Sequence, residues 1–165
     1  MLEIRTAGIH ELQLIHDLAH RIWPASYAEI LSQEQLEYML EMMYSLPSLQ
    51  NQFLKLNHKF LILLDDKVPI GYASYSIKDA EPKTCILHKI YVLNEHRGKG
   101  AGRVFIDRVA NEARLLQAEK LELTVNRKNK AKEFYEKLGF QIIDLVDKEI
   151  GSGFYMNDYI MRKRL

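Results

Sequence analysis

Residues 97–102 read Arg-Gly-Lys-Gly-Ala-Gly and lie between a predicted strand and a predicted helix. The strand covers 84–93, and the helix that follows carries Phe105, Val109 and Ala113 on one stripe. Glycine allows positive φ and a close approach of a ligand to the backbone. A helix N-terminus adds unpaired N–H groups and a partial positive charge. This stretch therefore predicts an anion site suited to a phosphate or a pyrophosphate.

Two widespread phosphate-binding motifs do not match this stretch. A nucleotide P-loop needs G-x-x-x-x-G-K-[ST], which the chain lacks. A dinucleotide fingerprint needs G-x-G-x-x-G, and counting from Gly98 places Arg103 where the third glycine belongs. The alternative is a flexible surface turn, but the position directly between a strand and an amphipathic helix favours the anion site.

The sequence on both sides of this turn predicts a mixed sheet. Turns at 65–67 and 79–82 favour antiparallel pairing of the strands that they join. The helix between the strands 84–93 and 120–125 makes a right-handed crossover, which favours parallel pairing of those two. The predicted fold class is α+β, with a mixed, mostly antiparallel seven-stranded sheet and helices on both faces. The seven strands are expected at 2–5, 59–64, 68–77, 84–93, 120–125, 140–146 and 154–162.

Helices are expected before the first long strand. Apolar residues at helical spacing predict a helix over 10–21, which Pro24 should end or interrupt. Ser32 with Gln35 three residues later forms a capping box at the start of a second helix. Pro47 is expected to close this helical region.

The composition describes a folded chain without a membrane span. Its 165 residues are 47% hydrophobic and 27% charged, which favours one domain over 1–165 with a sizeable core. The 23 basic and 22 acidic residues leave a net charge of +1, which argues against a nucleic-acid partner. One cysteine, Cys85, excludes an internal disulfide and a four-cysteine zinc site, and no metal site is expected. No secretory signal and no membrane-spanning apolar run are visible, so we expect a cytoplasmic protein.

Two segments together resemble one enzyme family. The pattern R-x-x-G-x-G over 97–102 resembles the R/Q-x-x-G-x-G/A pyrophosphate loop of the GNAT superfamily of acetyl-CoA-dependent N-acetyltransferases. A second segment, with Asn126, 129–131 and then FYEKLGF over 134–140, is similar to the family's N…A…FYEKLGF stretch. Gly139 in this segment is expected at the C′ position of its helix. The order of elements along the whole chain also matches the family.

The resemblance implies how acetyl-CoA, the co-substrate, would be held. In the family, the fourth strand splays from the fifth and pantetheine lies in the gap. Backbone groups of Ile90, Tyr91 and Val92 would pair with pantetheine, and one N–H there would meet the thioester oxygen, which is worth about 3 kcal/mol of barrier. Amides of 98–103 would hold the pyrophosphate. The implied cofactor contacts are Ile90, Tyr91, Val92, Arg97, Gly98, Lys99, Gly100, Ala101, Gly102, Arg103, Asn126, Asn129 and Lys132.

Some of these contacts have a simpler explanation. Asn129 precedes a helix and is equally suited to cap it. The basic side chains near the loop and near the second segment are candidates for the 3′-phosphate of coenzyme A, and the alternative for each is a solvated face. These side chains are Lys99, Arg103, Arg127, Lys128, Lys130 and Lys132.

Two residues are implied in proton transfer. Tyr135 matches the family's general acid, which protonates or stabilises the departing thiolate, whose thiol form has a pKa of about 8.5. Its alternative is a core tyrosine on a helix face. His88 stands nine residues before Arg97, where several family members carry a glutamate. Histidine is suited to proton transfer near neutrality, so His88 is a candidate general base, and a packed or merely bordering histidine is the alternative.

The acceptor is expected to be a small primary amine, with a polyamine as the first hypothesis. The first helices carry aromatic and acidic residues that suit a cationic chain, although an amphipathic helix needs outer charges in any case. A protein or peptide amine is the next candidate, and a non-catalytic acyl-CoA-binding module on the same fold is a further alternative. Late apolar residues support either a homodimer or the core: Phe154, Tyr155, Tyr159 and Ile160.

Overall fold

The computed structural model describes residues 1–165, the whole chain. The strands are β1 (Leu2–Thr6), β2 (Lys59–Asp65), β3 (Val68–Lys78), β4 (Thr84–Val92), β5 (Lys120–Asn126), β6 (Gln141–Gly151) and β7 (Phe154–Arg164). The helices are α1 (Leu12–Tyr27), α2 (Gln33–Tyr44), α3 (Leu46–Leu54), α4 (Ala101–Leu115) and α5 (Ala131–Lys137). No helix combines the length and the apolarity that crossing a membrane requires.

The seven strands form one mixed sheet in the order β1-β2-β3-β4-β5-β7-β6. β1 with β2, β2 with β3, β5 with β7 and β6 with β7 pair antiparallel. β4 and β5 pair parallel, from Thr84↔Lys120 to Leu87↔Leu123. The predicted α+β fold class and the parallel crossover are confirmed.

The chain packs into two compact units. The first consists of Met1–Ser76 and Lys89–Val109, and the second of Ile77–His88 and Ala110–Leu165. The first part of β4 belongs to the second unit and its last part to the first unit. α4 is likewise divided, with its first part in the first unit and its last part in the second. A single domain over 1–165 stays a prediction.

Two expectations about proline in the first unit are wrong. α1 continues through Pro24 to Tyr27. Trp23 and Tyr27 are both buried, with ring centroids 4.6 Å apart, and this packing offsets the one helical hydrogen bond that Pro24 cannot make. Pro47 lies in the first turn of α3, where a missing N–H costs nothing, so it opens a helix rather than closing the region.

Local signals elsewhere are confirmed. Ser32 Oγ accepts a hydrogen bond from Gln35 N at 3.1 Å, which caps α2. Gly139 follows the end of α5 with φ of +96°. Asp66 and Lys67 both have positive φ, which suits the two-residue turn between β2 and β3.

The second unit buries one side of its strands. Leu121, Leu123 and Met161 are at most 2% exposed, whereas β6 is exposed over most of its length. Among the late apolar residues, Tyr155 is exposed and the other three are half-buried, so none belongs to the fully buried core. A homodimer through these strands stays a prediction.

Candidate active site

The turn predicted to bind an anion is open. Gly98 and Gly100 have φ of +83° and +78°, and a Cβ built on either would have no heavy atom within 4 Å. α4 begins at Ala101, and Val104 N donates to Gly100 O at 3.1 Å to open its hydrogen-bond ladder. The N–H groups of 101–103 therefore precede that ladder and lack helical acceptors. This geometry fits a pyrophosphate, because glycine keeps the backbone accessible at a positive helix end.

Side chains of the turn are held at two points in the first unit. Arg97 Nη2 donates to Ser26 Oγ of α1 at 2.7 Å. Lys99 Nζ donates to Asp65 Oδ2 at 3.1 Å, and His96 Nδ1 lies 3.5 Å from the same oxygen. The Lys99 ammonium lowers the pKa of Asp65 below its usual range. The turn is therefore fixed to α1 and to the end of β2.

The end of β4 approaches β3 very closely. A Cβ on Gly71 would stand 2.6 Å from Tyr91 O and 3.3 Å from Val92 Cα. No L side chain fits there unless the β4 backbone moves, so Gly71 is required by the close approach. Ile90, Tyr91 and Val92 are each half-buried, so part of this strand end stays accessible.

Five aromatic rings form a cluster in the first unit. Tyr27 Oη and Tyr91 Oη are 2.8 Å apart, and Tyr72 Oη donates to Tyr44 Oη at 2.7 Å. Burial raises the pKa of Tyr44 and of Tyr72 well above the usual value. Trp23 is 1% exposed and Tyr44 0%. The rings on α1 and α2 therefore belong to the core, as an amphipathic helix predicts, while the acidic residues there are exposed: Glu29, Glu34 and Glu41.

Lys89 is a buried charge that the sequence analysis missed. Its side chain is 7% exposed, and Nζ donates to Gln52 Oε1 at 2.7 Å. Nζ also lies 5.4 Å from the Tyr44 ring centroid and 5.9 Å from that of Phe60. Burial lowers the pKa of Lys89 to about 8. The pKa of His58 is lowered to about 4, mainly by burial and further by the positive charge of Lys89.

Candidate residues in the second unit lie just past the last β4–β5 register pair, at the end of β5 and at the start of α5. His88 and Thr124 follow the last β4–β5 register pair, and both are exposed. Asn126 ends β5, and its Oδ1 accepts from Lys128 N at 2.9 Å. Asn129 Oδ1 accepts from Ala131 N at 2.9 Å, which makes Asn129 a cap for α5, as the simpler explanation predicted.

Tyr135 is buried, with 7% exposure. Its ring centroid lies 5.4 Å from that of Phe134 and 5.7 Å from that of Phe140, both edge-on. This is the core position that one alternative predicted. The packing fixes the ring direction, which a proton donor also requires.

Two of the basic side chains, Lys132 and Arg103, pair with an acid of their own helix. Lys132 Nζ lies 3.4 Å from Glu136 Oε1 and 5.7 Å from the Tyr159 ring centroid. Arg103 is 70% exposed and lies 3.9 Å from Asp107. Such i,i+4 pairs are weak, so both ammonium and guanidinium stay available to a phosphate.

Sequence reasoning also missed Asp158 of β7, a carboxylate only 6% exposed. A signal for it exists: one acid stands, beside Asn157, inside a mainly aromatic and apolar run over 154–161. Lys89 likewise stands in an apolar strand. Ser26 and Asp65 carry no local signal, because they meet the turn only in the fold. No group of three or more His, Cys, Asp or Glu side chains is placed to hold a metal ion.

The fold and the open glycine turn match those of acetyl-CoA-dependent N-acetyltransferases, and the comparison with protein families identifies this class. The chain belongs to the acetyltransferase (GNAT) family, whose model matches residues 12–140. This confirms the resemblance drawn from the two sequence segments.

Individual relatives agree over the full length. A spermidine N(1)-acetyltransferase of Thermoplasma acidophilum is 27% identical, over 99% of this chain and 97% of that protein. The crystal structure of the PaiA N-acetyltransferase of T. acidophilum in complex with coenzyme A has a TM-score of 0.82 at 26% identity, covering 100% of this chain and 99% of that one. A GCN5-related N-acetyltransferase structure from Rhodopseudomonas palustris has a TM-score of 0.82 at 20% identity, over 99% and 95% of the two chains. It shows the shared fold.

Proposed function

We propose that this chain acetylates a primary amine of a small polyamine, by direct attack of that amine on acetyl-CoA in a ternary complex. The observation that carries the substrate class is the end-to-end similarity to a spermidine N(1)-acetyltransferase. A primary alkylamine has a pKa of about 10.4, so only a small fraction is neutral at pH 7 and proton removal must accompany attack.

The first unit would hold the donor. The open N–H groups at the start of α4 would bind the pyrophosphate, with Arg97, Lys99 and Arg103 adding positive charge. Backbone groups of 90–92 would bind the pantetheine arm. When bound, acetyl-CoA supplies the acetyl thioester that the amine attacks.

Two side chains would move protons. Tyr135 would act as general acid, with its Oη–H supplying the proton that the departing thiolate takes up to become the thiol of coenzyme A. His88 would accept the proton of the amine, directly or through water, and its exposure just past the last β4–β5 register pair supports access. Asn126, Asn129 and Lys132 stay predictions as cofactor contacts, and Asn129 would have to combine contact with capping.

The first test is donor binding. We expect acetyl-CoA at about 100 times its Kd to stabilise the protein by about 2.7 kcal/mol, with no stabilisation by NADH. Thermal unfolding with both ligands measures this, and the shift should be about 5–10 °C for a chain of this length. Absence of a shift with millimolar acetyl-CoA would contradict the donor assignment.

The second test is turnover. Release of coenzyme A is followed with spermidine, spermine, putrescine and a lysine peptide as acceptors. Turnover with the polyamines supports the proposal, turnover with the peptide alone favours a protein substrate, and bound donor without turnover favours a non-catalytic acyl-CoA-binding module.

The third test concerns the two proton-transfer residues. Tyr135→Phe should lower kcat about a hundredfold and leave the acetyl-CoA Kd within about twofold. Tyr155→Phe, at an exposed tyrosine, is the matched control and should behave as wild type. His88→Gln should lower kcat/KM for the amine and leave the acetyl-CoA Kd within about twofold, because the reacting amine loses its proton acceptor. An unchanged kcat/KM in His88→Gln would remove His88 from the mechanism.

A further inference from the structure

Asp158 lies in the middle of the sheet of the second unit. It belongs to β7, which pairs with β5 on one side and β6 on the other. Its register partners are Asn126, the last residue of β5, and Val146 of β6. Directly opposite residues of antiparallel strands project to the same face. Asp158 therefore shares a face with Asn126, which is itself a predicted cofactor contact.

The carboxylate of Asp158 has no bonded counter-charge. Arg127 is the charged group that acts on it, but the Arg127 guanidinium is engaged elsewhere. It donates to the backbone oxygens of Asp158 and Val146, at 3.4 and 3.2 Å, and Nη2 lies 3.0 Å from Asp147 Oδ1. Burial outweighs the Arg127 charge and raises the pKa of Asp158 to about 6, so near neutrality this is mostly a buried anion.

The surroundings of this anion are partly apolar, although the Asn126 amide lies opposite on β5 and the exposed Lys148 stands two residues beyond Val146 on β6. Val146 lies opposite, and Met156 and Ile160 stand two residues away on the same face of β7. All three are half-buried. An alkylammonium has the matching chemistry, since its methylenes suit the apolar side chains and its charged end suits the carboxylate.

We propose that Asp158 binds the second ammonium of the acceptor, the one that is not acetylated, and so selects diamines and polyamines over monoamines. The inference rests on the proposed function, because it assigns part of that acceptor. The reacting amine must lose its proton, and a carboxylate beside it would raise its pKa and hold the proton on. The non-reacting amine stays charged throughout, so a fixed carboxylate serves it without opposing the reaction.

Putrescine and butylamine test this, because they share the reacting amine and differ in the second ammonium. We expect Asp158→Asn to lower kcat/KM for putrescine about 10- to 100-fold and to leave butylamine within about threefold. Asp158→Glu keeps the charge and should recover part of the preference. Glu149→Gln removes a carboxylate charge from an exposed side chain of β6 and should retain the preference for putrescine. Equal losses on both amines, or no loss on either, overturn the inference.

A binding measurement separates this inference from the proposed function. Calorimetry of putrescine binding to the coenzyme A-saturated protein should show affinity about 10- to 100-fold weaker in Asp158→Asn than in wild type. A wild type that bound putrescine through Asp158 without acetylating any amine would refute the proposed function alone. Equal putrescine affinity in the two proteins, or no putrescine binding by wild type, would refute the inference, whatever the turnover.

Discussion

Lys89→Met removes the buried ammonium of the first unit and keeps the length of its side chain. Lys89 is 7% exposed and has an amide oxygen and two rings as neighbours, but no carboxylate. Burial lowers its pKa from 10.5 to about 8. The structure therefore makes the charged form less favourable in the folded state than in the unfolded one, by about 3 kcal/mol.

The sign of the pH dependence follows from the lowered pKa. Below about pH 8 both the folded and the unfolded chain hold the Lys89 proton, so the full destabilisation from burying the ammonium is present. Between about 8 and 10.5 the unfolded chain binds more protons than the folded one, so the free energy of unfolding of wild type rises with pH. Lys89→Met lacks this titration. We expect wild type to gain about 2 kcal/mol relative to the variant between about pH 7 and about pH 9.5.

Urea unfolding at the two pH values measures this gain. The fluorescence of Trp23, the one tryptophan of the chain and 1% exposed, reports unfolding. The variant also loses the hydrogen bond to Gln52 and the ring contacts. This loss changes its free energy of unfolding by the same amount at both pH values, so it cancels when the two pH values are compared. Lys59→Met, at an exposed lysine of β2, should show no such gain. A difference between wild type and Lys89→Met that is the same at both pH values would refute the reasoning.

Three further predictions concern the backbone, the turn and the second unit. Gly71→Ala should weaken acetyl-CoA binding at least tenfold in calorimetry, because its Cβ would displace Tyr91 O, whereas Gly8→Ala, in open space, should not. Ser26→Ala should raise the acetyl-CoA Kd about three- to tenfold at unchanged Tm, because Arg97 loses its hydrogen bond; an unchanged Kd would mean that the turn does not need this contact. Asp158→Asn should be more stable than wild type by about 2 kcal/mol near pH 7 and should lose that advantage near pH 4. The reason is the raised pKa of Asp158, which makes the free energy of unfolding of wild type fall as pH rises through about 4 to 6. Urea unfolding at both pH values checks this, and an advantage that does not change with pH would contradict it.

The regular parts of the fold could be predicted because their signals are local. Apolar periodicity, the Ser32 cap and Gly139 each act within one or two turns, and the structure confirms them. Pro24 misled because its effect depends on packing: two buried aromatic rings keep α1 helical beyond it. The register of β6 on β7 contains two irregularities that no alternation in the sequence announces.

The site divides in the same way. The open turn before α4 could be predicted, because the conformational freedom of its glycines is a property of the residue type itself. The side chains that hold the turn could not be, because Ser26 meets Arg97 across 71 positions and Asp65 meets Lys99 across 34. Gly71 could be predicted only in part. A glycine inside a strand indicates that another backbone approaches closely, but the sequence does not identify that backbone.

The two buried charges missed by the sequence analysis lead to different conclusions, and hydrogen bonding decides between them. Lys89 has an acceptor in Gln52 and two rings beside it, so the fold itself supplies contacts to the buried ammonium, although burial still disfavours its charge. Asp158 has burial without a bonded cation, so a cationic ligand is what would stabilise it most. Removing the Asp158 charge should therefore raise stability and lower selectivity together, the exchange expected of a group that serves binding at the expense of folding. Removing the Lys89 charge should change stability alone.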